Sequence, residues 1–211
     1  MWFDWADNPK WGKKDQELFF AKLKKARDKC CYLKIKAGCL YDVGNEKKVN
    51  EAISLLNLAI NDYPDQSELA FVYNLLSRCY EFLELNKKAI EFYEKSLLQE
   101  KKVPNMLTTT IFDYPEFIVE NKIKRLYLRA IELLDQAEKE ERIHFPLENF
   151  LFFGLKAAIY NRTGHKKSAR IEAKNASYFA KLRHSGLSRH PNIGVVEGYE
   201  WLKKELKQIV K

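Results

Sequence analysis

Glycine and proline are scarce, with eight and six in 211 residues. So few turn formers exclude a many-stranded β protein and favour long helices joined by short connections. Cysteine is rarer still, and Cys30, Cys31, Cys39 and Cys79 contain no Cys-x-x-Cys pair. Neither a zinc ribbon nor a disulfide framework is written there, so reduced thiols, no metal and a cytoplasmic setting are expected. Apolar runs of about 18 residues are missing, and the opening MWFDWADNPKW carries acid where an export signal would carry a basic region. Neither a membrane span nor a membrane partner is expected. Around the histidines there is no Gly-x-Ser-x-Gly elbow, no His-Glu-x-x-His and no phosphate-cradling glycine loop, so no catalytic residue, metal ligand or cofactor is assigned.

What the chain does contain is helical periodicity. Phe19, Leu23, Ala26, Cys30, Leu33, Ala37 and Leu40 recur at alternating steps of four and three, which predicts one continuous helix from about Asp15 to Asp42. Lys22, Lys24, Lys25 and Lys29 fall off that stripe and are expected to face water. The next segment has Asn45 as N-cap, Glu46 in its first turn and Pro64 as its stop. One order of residues then recurs: Ala52, Leu56, Ala59; Ala89, Tyr93, Ser96; Ala130, Leu134, Ala137; Ala169, Ala173, Ala176. The leading alanines are 37, 41 and 39 residues apart, the length of a two-helix repeat in which small residues let neighbouring helices approach.

In AFVYNLLSRCY, Tyr73, Leu76, Ser77 and Tyr80 precede Ala89, Tyr93 and Ser96; in FLFFGLKAAIYNRTGHKKSA, Phe153, Ala157, Tyr160 and Gly164 precede Ala169. This pattern resembles the tetratricopeptide repeat (TPR) family, over residues 30 to 182 in two good and two degraded repeats. Lys156 stands where that family has Leu and Ala173 where it has a large aromatic, and the helix before Ala130 departs from the pattern. The resemblance implies an all-α fold, a right-handed superhelix of antiparallel helix pairs, capped by a C-terminal helix with Tyr199, Leu202, Leu206 and Ile209 on one face. It divides a single domain into an aromatic arm (1–14, with Trp2, Trp5 and Trp11), about four helix pairs (15–182), a basic loop (183–196) and the capping helix (197–211). It also implies a non-catalytic module binding a protein partner along a concave groove. The corresponding positions are Phe71, Asn74, Arg78, Glu81 and Phe82, and Leu151, Gly154, Ala158, Asn161 and Arg162; Asn74, Arg78, Glu81, Asn161 and Arg162 are the candidate partner contacts. They do not reproduce the Lys/Asn set of chaperone-binding members.

Charge adds a second signal. The chain carries a net +8, but residues 161 to 190 alone hold eight basic residues against one acid, Glu172, and three of the four histidines. On a helix expected from about Lys166 to Arg183, Lys167, Arg170, Lys174 and Lys181 form a stripe opposite Ala169, Ala173 and Ala176. The stretch RHSGLSRHP that follows reads first as a helix stop, with Gly186 left-handed and Pro191 preventing continuation. It is longer and more cationic than a stop requires. Lys167, Arg170, Lys174, Arg183, His184, Arg189 and His190 are therefore the candidate anion-binding residues. The partner expected is a protein with an acidic or extended segment; a nucleic acid neutralised by the basic stripe is the alternative. By analogy of class, neutralising a toxin is a further possibility.

Overall fold

The computed structural model describes residues 9–211; Trp2 and Trp5 of the aromatic arm lie outside the described residues. All regular structure among the described residues is helical. The chain divides into two compact units, one ending at Thr110 and one starting at Ile111.

In the first unit, α1 (Lys13–Lys25), α2 (Lys29–Tyr41), α3 (Glu46–Asp62), α4 (Leu69–Phe82) and α5 (Asn86–Lys102) pack in chain order, and α2 also touches α4. The single helix expected over residues 15 to 42 is two. Ala26 turns to an extended backbone and Asp28 caps α2, its Oδ1 accepting the Cys31 N–H at 2.9 Å. An Asp in the right place to take an orphan amide competes with helix continuation. The apolar stripe survives the break, because Phe19, Leu23, Cys30, Leu33, Ala37 and Leu40 are all buried. Trp11, the described tryptophan of the arm, is also buried, edge-on to Phe19 at 5.1 Å and beneath the Lys36 ammonium.

The second unit holds α6 (Thr110–Glu120, whose first residue closes the first unit), α7 (Tyr127–Lys139), α8 (Pro146–Arg162), α9 (Lys166–Phe179) and α10 (Glu200–Val210). Here α8 packs on both α9 and α10. From α7 to α10 each helix meets its chain neighbour, and α8 meets α10 as α2 meets α4 in the first unit. Every member of the recurrent small–large–small pattern is buried, on α3, α5, α7 and α9 in turn. On α9 the pattern is all alanine, which lets its backbone come close to α8.

The connections repeat as well. After α4, α6, α7 and α8, one residue adopts a left-handed backbone: Glu84, Lys122, Glu141 and Gly164. In each case the next N–H donates to a carbonyl five residues back: Leu85 to Tyr80, Ile123 to Ile118, Arg142 to Ala137 and His165 to Tyr160, at 2.8–2.9 Å. A second bond, from the left-handed residue to the carbonyl three back, completes a Schellman ending each time. Glycine is the residue this geometry favours, yet three of the four positions carry a side chain, at an intrinsic cost of about 1 kcal/mol each.

No disulfide joins the four cysteines. Burial pushes the Cys79 thiol up to about 12 and the Cys30 thiol up to about 11, so both stay protonated and unreactive at neutral pH.

Two substitutions test this account by urea unfolding. Glu84→Gly is expected to raise stability by roughly 0.5–1 kcal/mol, by relieving the left-handed side chain. Ala173→Leu is expected to lower it by about 1–3 kcal/mol, because the α8–α9 contact has no room for a larger side chain.

Candidate anion-binding surface

The basic stripe has a buried back and a charged front. Ala169, Ala173 and Ala176 are fully covered, while Lys167, Arg170 and Lys174 on the opposite side of α9 are exposed. No ion pair engages these three, Lys181, Arg183 or Arg189 among the described residues. The one acid of the window, Glu172, turns partly inward towards Lys156. Burial raises its pKa, and the field of Lys156 opposes that shift. Lys156 itself donates to Asp135 Oδ1 at 2.8 Å and lies over the Phe152 ring. Burial disfavours its charge, but the Asp135 contact outweighs burial and holds its pKa up. The Lys156 charge is thus compensated by Asp135, and Glu172, turned towards it, leaves the outer cations uncompensated.

The helix ends earlier than Arg183. Its last residue is Phe179, whose ring stacks on Phe153 at 5.7 Å. Lys181 and Arg183 therefore leave the stripe and belong to the loop.

That loop is closed on itself. Ser185 donates its N–H to the Pro191 carbonyl at 2.7 Å and its hydroxyl to the His190 carbonyl at 2.7 Å. The same hydroxyl oxygen accepts the Leu187 N–H, and His184 Nδ1 accepts the Gly186 N–H. Gly186 takes the left-handed backbone that the sequence suggested. With the amides of Ser185, Gly186, Leu187 and His190 committed internally, the loop offers an anion its side chains: Arg183, Arg189 and His190 are exposed, as is His184. The far end of the loop is pinned. Val196 is buried, the Gly194 carbonyl accepts the Leu147 N–H at 2.7 Å, and a Cβ on Gly194 would run into Phe145.

The groove positions divide between exposed and internally committed side chains. Asn74 is buried and donates to Thr110 Oγ1 at 2.8 Å, within a network that includes Ser96, Thr108 and Glu100. Glu81 accepts the Tyr93 hydroxyl proton at 2.7 Å. Arg78 is exposed over the Tyr41 ring, close to the exposed Phe82, and Phe71 lies under the Lys34 ammonium. On α8, Leu151, Gly154 and Ala158 are buried, and Gly154 faces Leu202 and Leu206 of α10 so closely that an added Cβ would lie 3.0 Å from Leu202 Cδ2. Asn161 accepts from Lys166 Nζ at 2.7 Å. Arg162 forms two bonds to the Glu205 carboxylate, 2.9 and 2.5 Å, and donates to the Val119 carbonyl and the Tyr127 hydroxyl. Burial works against its charge, but these partners raise its pKa above the ordinary value.

Sequence reasoning missed the contribution of α10. Lys203 and Lys207 on one flank of that helix, with Lys211 just past its end, meet Lys181 and Arg183 across a groove of about 660 Å³. Phe150, Ala180, Leu206 and Val210 supply its apolar lining, and no acidic side chain lines it. The lysine spacing was visible in EWLKKELKQIVK; its position beside the α9 end was not. On the other flank, Arg162, Glu205 and Trp201 line a second depression of about 520 Å³ with Lys122, Lys124 and Lys204.

One trio of possible metal ligands converges among the described residues. Asp28, Cys31 and Glu68 have their donor atoms within 4.8 Å of one another. Glu68 already binds Lys34 Nζ at 2.5 Å, Asp28 caps α2, and burial raises the Cys31 pKa, keeping its thiol protonated. No helix among the described residues is long and apolar enough to cross a membrane. Compared with known proteins, the chain matches no family model, no curated protein and no solved structure.

Arg162→Ala tests the α10 attachment. It strands Glu205 and the Val119 carbonyl, and is expected to cost about 2–3 kcal/mol, between the exposed and fully buried limits for breaking an ion pair. Unfolding followed by urea midpoint measures it, and Trp201, next to the pair, should change its fluorescence.

Proposed function

We propose that this chain is a non-catalytic, TPR-like binding module of the cytoplasm whose partner is a protein carrying an acidic segment. One observation carries the reading. The outer face of α9 and the loop after it present Lys167, Arg170, Lys174, Arg183 and Arg189 without an ion-pair partner among the described residues, while the nearby acid faces inward. An uncompensated array of this kind attracts anions over about 10 Å at 0.1 M salt. The basic surface is favoured over the concave groove as the main contact, because Asn74 and Arg162 spend their hydrogen bonds inside the fold. Arg78, exposed over Tyr41 beside Phe82, can assist from the groove positions.

Replacing Arg170, Lys174, Arg183 and Arg189 together with Gln is expected to weaken binding of a fluorescein-labelled oligoglutamate peptide about tenfold and to flatten its salt dependence. Helicity should be unchanged, since all four side chains are exposed. The same exchange at Lys22, Lys24, Lys25 and Lys29 should have little effect. Equal losses from both sets would reduce the basic surface to a solvated face, and tighter binding of a single-stranded RNA of equal charge would move the assignment to nucleic acid.

A further inference from the structure

The outer stripe of α9 and the groove beside α10 differ in one respect. The stripe spreads its cations, with the exposed Ile171 among them, over the outer face of one helix, whereas the groove sets cations on two walls around the exposed Val210. Val210 is 40% exposed and borders the groove above the buried Leu206 and Phe150, while Lys181, Arg183 and Lys207 stand around it. A purely polyanionic ligand would leave the Val210 side chain in water or cover it with its own polar atoms. A ligand carrying both carboxylates and apolar side chains satisfies both halves of the site.

From this we infer that the groove between the end of α9 and α10 is the docking site for an acidic amphipathic peptide segment, an aliphatic or aromatic side chain of which seats against Val210 while its carboxylates meet Lys181, Arg183 and Lys207. The inference rests on the acidic-partner reading above and adds the apolar requirement to it. Charge complementarity selects the occupant: cations stand on both the α9 side and the α10 side, with no acidic side chain among the lining residues. The geometry is stable enough to act as a receptor. The α10 wall is held on α8 by Arg162–Glu205 and by the Gly154–Leu202 contact, and the loop leading from α9 to α10 is pinned at Gly194 and Val196. A nucleic acid would use the cations and gain little from the apolar lining, because its accessible phosphates carry no aliphatic groups.

Two peptides of equal length and equal glutamate count separate these possibilities by fluorescence anisotropy in about 0.15 M salt. One has Leu at helical spacing between the glutamates, and the other has Ser at the same places. The Leu peptide is expected to bind roughly tenfold more tightly, the gain from covering about one side chain. Most of that gain should vanish with Val210→Asn, an exchange at a half-exposed position that keeps charge constant. Methyl resonances of Val210 and Leu206 should shift on titration with the Leu peptide. Equal affinity for the two peptides, with both weakened by the Gln exchange at Arg170, Lys174, Arg183 and Arg189, would overturn the inference and leave the acidic-partner reading standing. A preference for Leu accompanied by methyl shifts confined to another face would also overturn it. Insensitivity of both peptides to that exchange, or tighter binding of an equal-charge RNA, would overturn the reading and the inference with it.

Discussion

The guanidinium of Arg162 sets the arrangement of the second unit. It sits at the C-terminal end of α8 and satisfies a carboxylate of α10, a carbonyl near the end of α6 and a hydroxyl on α7. Four helices are thereby referred to one planar group, whose fork of donors makes their relative rotation hard to change. A half-buried cation without these partners would be costly, so the site is formed as a whole or not at all. The position of α10 follows from it, and with it the groove walls that Lys203, Lys207 and Val210 provide.

The stripe of alanines on α9 solves a related problem. A helix whose inward face is Ala169, Ala173 and Ala176 buries little apolar area per residue, so its stability depends on coming very close to α8 and gaining dispersion contacts along its length. Close approach also draws in Lys156 from α8 and Glu172 from α9, whose charges compensate partly inside the fold. The outer side of the same helix is then left with one sign of charge. Compact packing and an uncompensated surface are two results of one pattern of residues.

The two-helix period was legible because it depends on local spacing, and all twelve positions of the small–large–small pattern are buried where the repeats place them. Helix ends were less legible. The Asp28 cap broke a periodicity that would otherwise run on, and α9 stopped at Phe179, short of the loop glycine. Three of the four Schellman endings were invisible because Glu84, Lys122 and Glu141 occupy places where glycine is the usual signal. At the surface, composition located the charge on α9 but could not locate the cations of α10 beside it, since that neighbourhood is made by a contact between residues more than twenty positions apart. Nor could spacing tell that Asn74 and Arg162 would turn to internal partners.

The wiring of the loop after α9 bears on how this surface can change over time. Its shape is maintained by Ser185, by main-chain groups and by the tight fit of Gly194 against Phe145. The side chains of Arg183 and Arg189 take no part in that support. Mutational drift at those two places can thus alter the electrical sign, reach or selectivity of the loop while its contour persists, whereas Ser185 and Gly194 are constrained by shape. Structural upkeep and charge display are assigned to different residues of one short segment, so its charge can be redrawn without redrawing its shape.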